Sequence, residues 1–194
     1  MPRKTAAGAA ETRHTIVREA RRLFSERGFA DTATAEIAAA AQVTEGALFH
    51  HFKNKRALFE EVVNTLAREF HDEVQAVGHR EQDARPAFLA ATRAALIFSQ
   101  GEEYRRIVLV DAPSVLGSAV AREIDSRFGL DLILPVLRAL APKGSAEPQV
   151  RALALLVLGY LNEAAFALAR GDGDVDVDTV MAVLERTLDR LILT

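Results

Sequence analysis

Apolar positions recur at helical rather than alternating spacing along nearly the whole chain. From Glu11 to Arg27, Ile16, Ala20, Leu23 and Phe24 share one face with Val17 alongside, and Arg13, Arg18, Arg21 and Arg22 take the polar side. Gly28 stops this helix, because glycine enters the left-handed region cheaply, and Phe29 turns back to the core. A second, short helix opens in Asp31–Thr34. A capping box with Glu36 requires its cap at position 33, where Ala33 has no acceptor, so Thr32 or Thr34 is expected to serve. Ile37, Ala38 and Ala41 face inward, and Gln42 and Val43 turn the chain. Thr44 caps a third helix, Glu45 to His51, in which Leu48 points to the core and Phe52 follows as an anchor. Asn54 caps a long fourth helix from Lys55 to about Val77.

The remaining pattern is also helical. Pro86 opens a helix lined by Phe88, Leu89, Thr92, Ala95, Leu96 and Phe98, and Gly101 closes it. A short helix, Glu102 to Asp111, is expected to break at Pro113. Ser118 to Ala141 follows, bent or split by Gly129 and Pro135. Pro148 to Arg170 is apolar nearly all round and is expected to be buried on more than one side. It carries the row Ala154, Leu158, Leu161, Ala165, Leu168. The last helix, about Asp178 to Leu193, carries Met181, Leu184, Leu188 and Leu191. Such rows fit a helix pair that completes a four-helix bundle with a second copy, or else internal core packing. The homodimer is preferred because the penultimate helix has more apolar surface than one side can bury.

The expected fold is therefore all-α, with about nine helices: an N-terminal helix-turn-helix head and a C-terminal helical body. The divisions are a flexible arm at 1–10, a DNA-binding head at 11–56, and a sensing and dimerising body at 57–194. Charge sharpens this picture. The net charge is −3, yet residues 1–56 hold ten Lys or Arg against six Asp or Glu, while the rest hold fourteen against twenty-one. A head of +4 on a body of −7 suits a head that meets phosphate. Arg3 and Lys4 in the arm either touch DNA or belong to a frayed terminus.

Other chemistry is thinly represented. The chain has no cysteine, which rules out disulfides and thiolate metal sites. No signal-peptide run opens the chain, and Ala152 to Leu161 falls short of the ~20 apolar residues of a membrane span, so a cytoplasmic protein without a membrane partner is expected. No glycine-rich phosphate loop, metal cluster or nucleophile–base pair is visible, so neither an enzyme nor a cofactor is expected. His50 and His51 are neighbours about 100° apart on a helix, with no third ligand at metal spacing. Asp172, Asp174, Asp176 and Asp178 invite a calcium reading, but an EF-hand loop counted from Asp172 finds Val177 and Val183 where Gly and Glu are needed. An acidic loop that also caps the last helix is the better reading.

The stretch from Glu11 to Val63 resembles the N-terminal domain of the tetracycline-repressor (TetR) family of transcriptional regulators. The resemblance rests on Ala20, Leu23, Phe24, Gly28 and Phe29. It continues through Ile37, Ala38, Ala41, Val43, Thr44, Gly46, Leu48, Phe49, His51, Phe52, Lys55 and Leu58. It implies a head of three helices, a fourth linking it to the body, and a homodimer made by the last two. The chain departs from the pattern where Glu45 replaces a common Lys or Arg, Ala47 a common Thr, and Phe49 a common Tyr.

In a helix-turn-helix the second helix enters the major groove. The expected DNA contacts are Thr34, Thr44, Glu45, Gly46, Ala47, Phe49, His50 and Lys55, with Lys55 and Thr44 on phosphate and Glu45 on a base edge. Candidate ligand-lining residues in the body are Phe98, Tyr104, Val108, Asp111, Tyr160, Asn162, Glu163 and Phe166, of which Asn162 and Glu163 are polar within an apolar helix. The expected partners are double-stranded DNA, a second copy and an unidentified small-molecule effector. A non-sensing DNA-binding or protein-interaction module with the same head is the alternative.

Overall fold

The computed structural model describes residues 6–171, 173 and 175–192. All its regular elements are helices: α1 (Ala6–Arg27), α2 (Thr34–Ala40), α3 (Glu45–His51), α4 (Lys55–Gly78), α5 (Ala84–Ser99), α6 (Glu102–Tyr104), a π-helical stretch (Arg105–Asp111), α7 (Ala112–Leu116), α8 (Ser118–Leu140), α9 (Glu147–Arg170) and α10 (Val177–Ile192). The α6, π and α7 segments follow without a break, so the described residues form nine helical rods.

Two compact units emerge: residues up to Leu66 together with Glu102–Ala121, and Ala67–Gly101 together with the chain from Arg122 onward. The first unit takes in more than the expected head at 11–56. The reason lies in α4, whose Leu58, Phe59, Val62, Val63 and Leu66 are all buried, as are Ile107, Ala112 and Leu116 in the 102–116 rod. Around Phe24, three phenyl rings pack: Phe24 and Phe59 edge-on at 5.2 Å, Phe29 and Phe59 at 5.0 Å, and Phe24 and Phe29 tilted at 5.8 Å. Such ring pairs add to the burial of their area.

Several boundaries differ from those expected. Helix α1 starts at Ala6, inside the stretch assigned to an arm, because Ala9 and Ala10 favour helix and the Thr12 hydroxyl donates back to the Gly8 carbonyl at 2.8 Å. Arg3 and Lys4 lie outside the described residues. The cap of α2 is Ala33 itself. Only the return half of a capping box exists, with the Ala33 N–H donating to Glu36 Oε2 at 3.0 Å. Neither threonine caps. Thr32 is buried and donates to the Leu23 and Gly28 carbonyls, and Thr34 is turned toward α3. The Thr44 and Asn54 caps are as expected, accepting from Ala47 and Ala57 N–H at 3.1 and 2.8 Å.

Pro113 does not break the 102–116 rod. The π-helical stretch before it makes a wider turn, with Ala112 N–H reaching the Ile107 carbonyl, and the proline enters the first turn of α7, where its missing N–H costs little. Nor do Gly129 and Pro135 split α8, which is continuous. Gly129 marks a close approach instead: a Cβ there would lie 2.6 Å from Leu158 Cδ1 of α9.

In the second unit, Phe88, Ile133, Leu134, Leu137, Val150, Ala154, Val157, Leu158, Leu184 and Leu188 form one core cluster. Leu96, Ala164, Val180 and Met181 form another. Part of the expected dimer row is taken up by these cores. Ala154, Leu158, Met181, Leu184 and Leu188 are buried within one chain, as is Ala165, while Leu161 and Leu168 are partly buried. Leu191 has no described side chain. A regular row marks a packed face without naming the partner, and these side chains pack within their own chain. The exposed apolar positions of α9 are others: Ala152, Leu155, Leu156 and Gly159. By length and composition α9 is also sufficient to cross a membrane, contrary to the estimate from its most apolar stretch. Asp176 caps α10, accepting from Thr179 N–H at 2.7 Å, as an acidic capping loop should. Asp172 and Asp174 lie outside the described residues.

Candidate nucleic-acid interface

The turn between α2 and α3 is set by Gln42, which adopts a left-handed φ of 56°, and by Val43 N–H donating to the Ala38 carbonyl at 2.9 Å. Nothing in the hydrophobic pattern marks Gln42 for this conformation, which costs a residue with a Cβ some strain. Helix α3 then buries Leu48 completely and turns Thr44, Glu45, Gly46, Phe49 and His50 to solvent, with Ala47 half-buried. Phe49 is 46% exposed, and a Cβ on Gly46 would meet only Thr44 Oγ1, at 3.8 Å. Gly46 lies in the first turn of α3, where glycine lowers helix propensity, and the exposed Phe49 ring contributes little to the core. Both suit a helix that fits closely against another molecule. His50 is exposed and stacks edge-on with the half-buried His51, ring centres 5.6 Å apart.

Seven of the eight expected DNA contacts therefore lie on or beside one face. Thr34 is among them, its hydroxyl donating to Glu45 Oε1 at 2.8 Å. Lys55 is placed differently. Its ammonium sits 4.4 Å over the Phe29 ring and donates to the Ala30 carbonyl at 3.3 Å, and burial there pulls its pKa below the ordinary lysine value. An aromatic face and a carbonyl compete for it locally. Lys53, two residues earlier, is exposed and has no partner among the described residues. It was not singled out from the sequence, although its place beside the Asn54 cap was the available signal.

Among the described residues, the arginines of the head are engaged. Arg13 pairs with Glu61 at 2.9 Å, Arg21 grips Glu103 with two hydrogen bonds of 2.7 Å, Arg22 holds Glu26, and Arg27 holds Glu36. Arg56 donates to the Val115 and Leu116 carbonyls. The positive excess read from composition thus largely holds the first unit together. At Gly28, with φ +82°, the missing Cβ leaves room for the Arg106 guanidinium, which donates to the Arg27 carbonyl at 3.2 Å.

The candidate ligand residues separate. Tyr104, Val108 and Asp111 belong to the first unit, and Phe98, Tyr160, Asn162, Glu163 and Phe166 to the second. Asp111 accepts from the Phe29 N–H at 2.8 Å, with Arg106 at 3.8 Å, so it is an anchor for the head. The Tyr160 hydroxyl is spent on the Val180 carbonyl at 2.9 Å, tying α9 to α10. Glu163 points out, with 77% of its side chain exposed, 3.8 Å from Arg170. Helical position alone could not separate it from the half-buried Asn162 before it. Asn162 does look inward and donates to Asp125 Oδ2 at 2.6 Å. Phe98 meets Phe70 edge-on at 5.5 Å.

Burial raises the Asp125 pKa, and the bond from Asn162 only partly offsets this. A carboxyl that holds its proton more tightly folded than unfolded stabilises the fold while protonated. That contribution is lost as pH rises through the folded pKa. Asp125→Asn keeps an acceptor for Asn162 and removes the charge. The variant should therefore gain stability over the parent chain between pH 4 and pH 7. Denaturant midpoints at the two pH values check this, and a gap that stays constant would refute it.

The first unit defines a DNA-binding module of the helix-turn-helix class. Comparison with known proteins places it further. Residues 16–62 match the family model described as "Bacterial regulatory proteins, tetR family", and residues 86–191 match "Tetracyclin repressor-like, C-terminal domain". The chain belongs to the TetR family of transcriptional regulators. It is 30% identical to the HTH-type transcriptional repressor BepR of Brucella suis over 83% of this chain and 84% of that protein. The match to the HTH-type transcriptional regulator AcrR of Shigella flexneri is 52% identical but spans 32% of this chain and only 29% of that relative. A solved TetR-family regulator from Pectobacterium atrosepticum is 38% identical, with TM-score 0.78 and 98% of each chain covered.

Proposed function

We propose that the protein is a ligand-responsive transcriptional repressor that binds a palindromic operator as a homodimer in the cytoplasm and is released by a small molecule. The observation that carries the reading is α3 itself: one leucine buried, and a face of Thr44, Glu45, Gly46, Phe49 and His50 left open. Phosphate contact falls first to Lys53, and to Thr44 at the opposite end of α3, while Lys55 serves the fold. Phe49 and Ala47 offer apolar contact to a thymine methyl, and Glu45 meets a base edge.

The second copy is supported by α9 and α10. Ala152, Leu155, Leu156 and Gly159 recur at i, i+3, i+4 and i+7 and are exposed, with Leu155 at 50% and Leu156 at 57%. Ala182 and Val183 on α10 are exposed as well. Exposed leucines at helix-packing spacing mark a surface that meets another apolar face. Two heads held by such a seam would read half-sites roughly 34–36 Å apart. An effector that favours another head spacing would shift the population away from the bound form.

The test is binding to DNA upstream of the protein's own gene and to a shuffled duplex of equal length, at 50 and 200 mM salt, with and without candidate effectors. Tighter binding to the upstream DNA and a steep loss with salt are expected. Equal affinity for both duplexes at each salt concentration would reject the operator reading.

A further inference from the structure

The Thr34 hydroxyl is unusual among the threonines of this chain. Thr12, Thr15, Thr65 and Thr187 each donate to the carbonyl four residues back, inside their own helices. Thr34 is the first residue of α2 and has no preceding turn to bond. Its hydroxyl instead crosses eleven residues to Glu45 Oε1, at the first position of α3. Glu45 is exposed, and its carboxylate contrasts with others on the head. Glu26, Glu36, Glu61 and Glu103 each have an arginine. No cation is paired with Glu45 among the described residues; the neutral threonine hydroxyl holds it.

We propose that Thr34 is a positioning residue for sequence readout: it fixes the Glu45 carboxylate so that the remaining oxygen selects cytosine at one position of each half-site. The inference rests on the DNA-binding reading above and deepens it. An ionised carboxylate only accepts hydrogen bonds. On DNA the phosphates, guanine O6 and N7, and thymine O4 are all acceptors and repel it. The donors in the major groove are the cytosine N4 and adenine N6 amino groups. On adenine the amino group lies beside the N7 acceptor, which disfavours a nearby carboxylate. Cytosine has no ring acceptor there. Glu45 thus discriminates as much by what it refuses as by what it binds.

Thr34 contributes in two ways. It restrains a long, exposed side chain that would otherwise sample several rotamers. It also satisfies one oxygen that would be left without a partner when DNA displaces water from the interface. The bond lies across the two helices of the motif, so it sets Glu45 relative to α2 as well as to its own backbone.

The test uses the full-length protein and a set of duplexes carrying each of the four bases at each half-site position. Thr34→Val keeps the shape and removes the donor. Its preference for cytosine at one position should fall about tenfold, the worth of a hydrogen bond to a charged group. Thr34→Ser should restore the preference. In a Glu45→Ala background, Thr34→Val should have no further effect on base preference. Thr34→Val weakening all duplexes alike would overturn the inference and make Thr34 a backbone contact. An unchanged cytosine preference would overturn it too. A parent chain with no base preference at any position would instead remove the operator reading on which the inference stands.

Discussion

Phe24→Ala is expected to cost the head about 3–5 kcal/mol, the range for removing a buried phenyl ring from a core. Phe24 is fully buried and touches both Phe29 and Phe59, so its loss opens a cavity at the centre of the ring cluster. The consequences extend beyond lost area. Phe29 carries the N–H that Asp111 accepts and the ring on which Lys55 rests, and both contacts depend on Phe24 holding Phe29 in place. Domains of this size are typically stable by only about 5–15 kcal/mol, so the loss takes a large share. Denaturant unfolding followed by circular dichroism measures it. Phe49→Ala is the control, because that ring is 46% exposed and should change stability by no more than about 0.5 kcal/mol. A Phe24→Ala loss below about 1 kcal/mol would mean that the surrounding side chains close the gap.

Leu156→Glu should abolish the homodimer proposed above while leaving the chain folded. At 57% exposure the side chain has little role in the core of its own subunit. A two-fold interface meets the same patch on both sides, so each substitution counts twice and sets like charges against one another. Light scattering should report a monomer at micromolar concentration. Affinity for a two-site operator should fall by about 10²–10⁴, the advantage of linking two binding events. Leu158→Glu distinguishes this seam from the heptad row read first. Leu158 is 7% exposed and packs against Gly129, so that variant should lose stability rather than dissociate as a folded monomer. A Leu156→Glu protein that remains dimeric would place the interface elsewhere.

These outcomes depend on features of different origin. The helix-turn-helix was legible because its signals are local. The Thr44 and Asn54 caps need only the next turn of chain, and the Ile37, Ala38, Leu48 and Phe52 pattern needs only its own period. Part of the exposed face of α3 follows from the same period, since burying Leu48 turns Gly46 and His50 to the opposite side. Lys55 was legible as a cation but not as one turned onto Phe29. That choice is settled by a ring twenty-six residues earlier in the sequence.

The sequence by itself determined the helices, the helix-turn-helix and the family resemblance, because each rests on residues within a few turns of chain. Only the tertiary structure decided which face of α9 is spent on its own core. A row of leucines records that a surface is apolar, and burial depends on what other elements bring to it. The same holds for Asp111, Tyr160 and Glu163, whose polar atoms are taken up or released by distant backbone and by helix orientation. It holds above all for Thr34 and Glu45, joined across a turn whose geometry depends on one left-handed glutamine.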